Sequence, residues 1–172
     1  LEENSITLIF AGEAPYKSAD EKYAFTPNRN FYYLTGVDKD KMLLMIVKIK
    51  GKTEETLFVE KNDPVLARWV GEKMSKAEAK EISGIQNIEF VENFKDLFNA
   101  ILEKTKIENL YLDLERQEFD ISMSTSQRFA KVVTKRYPYL KVQNIYHEIA
   151  SLRLIKSEEE IKLIRKAIDI TD

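Results

Sequence analysis

The sequence predicts a single α/β domain, a mixed β-sheet flanked by helices on both faces. Three observations predict it. Apolar runs of strand length alternate with segments whose apolar residues recur at helical spacing. The run M-L-L-M-I-V-K-I from Met42 to Ile49 is almost unbroken, as expected of a strand covered on both sides. It is followed at once by Lys50-Gly51-Lys52 and a second β-type run, Glu55 to Glu60, a hairpin that argues against a purely parallel sheet.

The elements follow in order. Ser5 to Phe10, S-I-T-L-I-F, reads as a buried strand leaving through Ala11-Gly12. Glu13 to Asn30 reads as loop, with Pro15 and Pro27 as breakers. Asn30 to Leu34 makes one helical turn stopped at Thr35-Gly36, with Asn30 as a local cap. After the hairpin, Asp63-Pro64 opens a helix, aspartate as cap and proline at the first helical position. Ser75 to Ile82 is a second short helix, with capping-box spacing from Ser75 to Glu78 and Gly84 as its stop.

Ile88 to Val91 is a short strand, and Asn93 is expected to cap the clearest helix. There Phe94, Leu97, Phe98, Ile101 and Leu102 form one apolar stripe. Asn109 to Glu115 alternates as a half-buried strand. A helix starting at Asp120 is expected to bury Phe129, Val132 and Val133, and Tyr137-Pro138 ends it. Leu140 to Val142 is a short strand before a helical segment from Ile145 to Leu154.

Composition bounds the function. The 172 residues suit one domain, and 44% hydrophobic residues can fill a sizeable core. Against 29 acidic residues stand 27 basic ones, interspersed, for a net charge of −2. That balance argues against a nucleic-acid or anionic-membrane binder, which needs a basic stripe. No apolar run approaches the length of a membrane helix. No secretory signal is visible, and the absence of cysteine fits a reducing cytoplasm.

No catalytic constellation is visible. His147 is the only histidine, so a histidine-based zinc site cannot be built, and H-E-x-x-H is missing. A surface or capping role is expected for it. Asp113 and Glu115 share a strand face and are weighed as oxygen ligands for a hard cation, but alternation alone places polar residues there. The five glycines fit no nucleotide loop, and there is neither a thiol nor a G-x-S-x-G elbow.

Two stretches stand out. From Ser18 to Gly36 the chain packs Tyr23, Phe25, Phe31, Tyr32 and Tyr33 into one short span, which is either core or a pocket wall. The terminal stretch runs L-R-L-I-K-S-E-E-E-I-K-L-I-R-K-A-I-D-I-T, where Ser157 and Glu160 have capping-box spacing. Ile161, Ile164, Ala167 and Ile168 form its apolar stripe, for which nothing earlier in the chain is an obvious partner. The chain opens on Leu1 and stops at Asp172 inside this helix, so it is expected to be part of a longer protein.

S-A-D-E-K-Y with N-F-Y-Y-L-T-G, then A-R-W-V-G at Ala67 to Gly71, then the terminal stretch, together resemble the amino-terminal domain of Xaa-Pro aminopeptidase (aminopeptidase P), within the creatinase/prolidase amino-terminal domain family. Arg29 stands where the family often has a small residue. The resemblance implies a ribonuclease H-like α/β domain over residues 1–154. It implies that residues 155–172 start the linker helix into a pita-bread catalytic domain outside this chain. The implied parent hydrolyses the peptide bond between an amino-terminal residue and proline. Its two divalent metals, usually manganese, would be held by carboxylates and a histidine of the catalytic domain, so no catalytic or metal-binding residue is expected here. The implied role is to shape the substrate cleft and support a homo-oligomer in the cytoplasm. The implied partners are the catalytic domain and Xaa-Pro peptides. Carried over by motif, the cleft residues are Asn30, Tyr33, Trp69 and Arg153. For each a packing, capping or salt-bridge role stands beside the cleft role. A prolidase, a creatinase or a catalytically dead relative acting as a protein-binding module shares the same architecture.

Overall fold

The computed structural model describes residues 1–171. After β1 (Ser5–Phe10) come a small hairpin, β2 (Tyr16–Ser18) and β3 (Glu21–Lys22), and helix α1 (Arg29–Thr35). The long hairpin β4 (Leu43–Ile49) and β5 (Lys52–Val59) leads into α2 (Pro64–Val70) and α3 (Lys76–Ser83). Then follow β6 (Asn87–Phe90), a 3-10 turn over Val91–Asn93, α4 (Phe94–Lys104), β7 (Asn109–Leu112) and α5 (Thr125–Arg136). The chain continues through β8 (Lys141–Asn144), α6 (Tyr146–Leu154) and α7 (Glu158–Thr171).

One six-stranded sheet has the order β6-β5-β4-β1-β7-β8. β4 runs antiparallel to both its neighbours, while β5–β6, β1–β7 and β7–β8 pair parallel. The sheet is therefore mixed because of one reversed strand. Alternation splits the core into two layers. Ile9, Leu44, Leu57 and Val59 face Phe31 of α1, Ala79 of α3 and Ile149 of α6. Ile6, Leu8, Met45 and Phe58 face Phe94 and Phe98 of α4 and Val133 of α5. Helices thus cover both faces, as the sequence predicts. The parallel strands β1, β7 and β8 all end at one edge of the sheet, where ligand crevices of α/β sheets tend to form.

Local signals set most boundaries. Ser75 and Glu78 form the expected capping box, Gly84 closes α3 in the left-handed region, and Asp63 accepts from the first amides of α2. Several expectations need correction. The 13–30 stretch is not all loop, since it holds the β2–β3 hairpin. Asn93 makes no capping bond, because the preceding residues already turn as a 3-10 helix, and its side chain donates to Glu89 instead. α5 starts at Thr125 rather than Asp120, with Ser124 and Gln127 as its capping box. Val132 is 59% exposed, so only Phe129 and Val133 of the proposed face reach the core. β7 stops at Leu112 and is buried on both sides between β1 and β8, not half-buried.

Candidate functional site

α1 is two turns long, and its cap is Asn28, whose side chain accepts from the Phe31 amide at 2.9 Å. At the other end Gly36 takes φ of 68°, a conformation that costs a side chain but not glycine, and its amide bonds Tyr32. One helical face carries Phe31 and Thr35 into the core. Tyr32 and Tyr33 lie on the outer side and are exposed. The aromatic span is therefore divided: Phe31 is core, and the two tyrosines form a wall.

Asn30 is not the cap. It is 1% exposed and sits inside α1, where its carboxamide joins two distant parts of the chain. Its Nδ2 donates to Asp113 Oδ2 at 3.2 Å, and its Oδ1 accepts from Arg153 Nη1 at 2.9 Å. Asp113 lies just past the end of β7 and is 3% exposed. Asn144 fixes this strand end, bonding the amide and the carbonyl of Leu114 and the amide of Tyr146. Burial pushes the Asp113 carboxyl above the ordinary carboxylate range and the Glu115 charge adds to the rise. Hydrogen bonds from Asn28 and Asn30 and the Arg153 charge oppose it.

Arg153 ends α6, and beside it Tyr33 Oη donates to the Leu152 carbonyl at 3.4 Å. Between α1 and the start of α7 lies an open groove of about 900 Å³, lined by Pro27, Arg29, Tyr32, Tyr33, Arg153 and Glu160 among others. It offers aromatic faces, the guanidiniums of Arg29 and Arg153 and the carboxylates of Asp38 and Glu160. Such a surface suits an apolar ring beside a carbonyl or carboxylate acceptor.

Three of the four residues singled out by motif, Asn30, Tyr33 and Arg153, are thus brought together. Trp69 is not. It stands on α2, 84% exposed and away from the groove lining, so it is no buried anchor of this chain. Flanking α2, Glu60 before the helix pairs with Lys73 after it at 2.7 Å and with Lys41 at 3.3 Å. Burial pushes the Glu60 carboxyl up, but the Lys73 hydrogen bond and both lysine charges outweigh it and hold the group below its ordinary value. Asp113 is the member that the sequence reading undervalued. Its position directly after the alternating N-L-Y-L run was the available signal.

His147 is exposed and stands edge-on to Tyr146, as expected of a surface residue. Among the described residues no three His, Asp or Glu side chains are grouped to hold a metal ion. Also among the described residues, no helix is long and apolar enough to cross a membrane. In α7, Ile161, Ile164 and Ile168 are 40%, 47% and 51% exposed.

The chain is 23% identical over 99% of its length to the Xaa-Pro aminopeptidase of Haemophilus influenzae, and 26% identical over 99% to that of Escherichia coli K12. It spans only 37% and 39% of those two relatives' own length. A solved structure described as a candidate aminopeptidase P from Bacillus anthracis superposes with a TM-score of 0.92 at 43% identity, over 96% of this chain and 40% of that one. The E. coli aminopeptidase P structure with the inhibitor Pro-Leu superposes at 0.80 with 21% identity, over 99% of this chain and 39% of that one, a likeness of fold. The sequence profile of the aminopeptidase P N-terminal domain matches residues 1–111, and the chain belongs to that family.

Proposed function

We propose that this domain is the non-catalytic roof of a metal-dependent Xaa-Pro aminopeptidase, an enzyme that hydrolyses the bond between an amino-terminal residue and proline. The observation that carries the reading is that Tyr33 and Arg153 line one wall of an open groove, with the buried Asn30 bonded to Arg153 from behind it. A tyrosine face packs well on a pyrrolidine ring, and a guanidinium held at the rim presents N–H donors to a peptide carbonyl or carboxylate. Closing such a wall over a hydrolytic centre excludes water and narrows the range of peptides that enter.

In this reading two divalent metals, manganese by family resemblance, belong to a catalytic domain outside this chain. The apolar stripe of α7 and the exposed Trp69 are surfaces through which the domain meets that catalytic domain and other subunits of a cytoplasmic homo-oligomer.

The test compares this chain with the full-length protein that carries it. The full-length protein, supplied with manganese, should release the amino-terminal residue from Xaa-Pro dipeptides and longer peptides, while this chain alone should do neither and should bind no pair of manganese ions tightly. Cleavage or tight metal binding by the chain alone would overturn the proposal.

A further inference from the structure

Between a donor and an acceptor, a carboxamide can sit only one way round. Arg153 is donor-only and an ionised Asp113 is acceptor-only, so the Asn30 carboxamide between them satisfies both in a single orientation. Asn30 and Asp113 are 1% and 3% exposed, so bulk water is a poor substitute partner for either. We propose that Asp113 is a positioning residue for the groove: by fixing the Asn30 carboxamide, it sets where Arg153 presents its guanidinium. The inference rests on the reading above only for what Arg153 then does to a ligand.

Two further observations favour positioning over simple structural support. One carboxylate oxygen, Asp113 Oδ1, is buried with no hydrogen-bond partner among the described residues, so the group is not fully satisfied even with Asn28 and Asn30 beside it. An asparagine of the same shape would carry no buried charge, yet it would offer a donor as well as an acceptor to Asn30 and leave the Arg153 contact alone to select the carboxamide orientation. The carboxylate therefore contributes direction at the expense of stability. Among the described residues Arg153 bonds through Nη1 alone and makes no ion pair, so its other N–H groups are available to a carbonyl or carboxylate oxygen at the groove.

The test is nitrogen-detected NMR of the Arg153 guanidinium in this chain, reading rotation about its Nε–Cζ bond, alongside the melting temperature. In the unmodified chain rotation should be slow. Asp113→Asn should speed it about tenfold, the loss of one charge-assisted hydrogen bond, while the melting temperature stays level or rises. The double variant Asn30→Asp/Asp113→Asn moves the acceptor-only group next to Arg153 and should restore slow rotation. Unchanged rotation in Asp113→Asn overturns the proposal, as does a folded double variant that fails to restore it. Xaa-Pro cleavage by the full-length protein separates the two readings. If Arg153→Ala leaves cleavage intact the cleft role falls, while the rotation data still decide whether Asp113 positions Arg153.

Discussion

The groove wall and the α2 segment carry the two aromatic motifs of the sequence, and they are built in opposite ways. In the wall, Phe31 is fully buried under α1, and Asn30 ties that helix to β7 on one side and α6 on the other. Tyr33 and Arg153 therefore stand on a base fixed from three directions. In α2, Val65, Leu66 and Trp69 are 69%, 57% and 84% exposed, and the ends are held by an aspartate cap and a surface ion cluster. A wall fixed in this way can present a guanidinium in one geometry. A segment like α2 has little within its own domain to set the direction of its indole, so its geometry should depend on what it meets.

This contrast can be broken most forcefully at Phe31. Phe31→Ala should cost about 3–5 kcal/mol and lower the melting temperature sharply, since the ring is 0% exposed and joins α1 to the sheet. A loss near zero would mean that the wall is not anchored. Asn30→Leu keeps the volume but strands Asp113 and Arg153, and denaturant titration should show a loss of about 1–3 kcal/mol. No change would mean that the network is incidental.

On the α2 side the effects should be small. Glu60→Gln removes the carboxylate that pairs with Lys41 and Lys73, at a cost below about 1 kcal/mol because all three side chains remain partly exposed. The folded-state carboxyl of Glu60 lies below its ordinary value, so its stabilisation is present above the unfolded value and fades as pH falls through the folded one. Melting curves of Glu60→Gln and the unmodified chain should therefore differ near neutrality and converge in acid. Divergence in acid would contradict this. Trp69→Ala should be smallest of all, within about 0.5 kcal/mol, and a larger loss would show that α2 is packed more firmly than its exposure indicates.

The groove was only partly legible in the sequence. Pro64, the Ser75–Glu78 capping box, Gly36 and the α4 stripe act through near neighbours, so spacing alone placed their elements. Tyr33 needed only helical geometry, since a residue two positions from a buried Phe31 turns to the opposite face. Asn30 was harder, because an asparagine near a helix start ordinarily caps it, and Asn28 had taken that role. Its partners lie 83 and 123 residues away, beyond any local pattern. The start of α5 was readable in Ser124-x-x-Gln127, but Asp120 offered an earlier cap of equal chemistry. Motif resemblance collected Asn30, Tyr33 and Arg153, yet it could not show that Trp69 would stand apart from them.

The most direct test of the groove wall as a substrate-facing surface is kcat/KM of the full-length protein on an Xaa-Pro dipeptide, with and without Arg153→Ala. Loss of a charge-assisted contact to the peptide should lower it about ten- to hundredfold, measured at a temperature where the variant, whose buried Asn30 oxygen has lost its donor and whose melting temperature should fall modestly, is still fully folded. An unchanged kcat/KM would contradict a substrate-facing role for the wall.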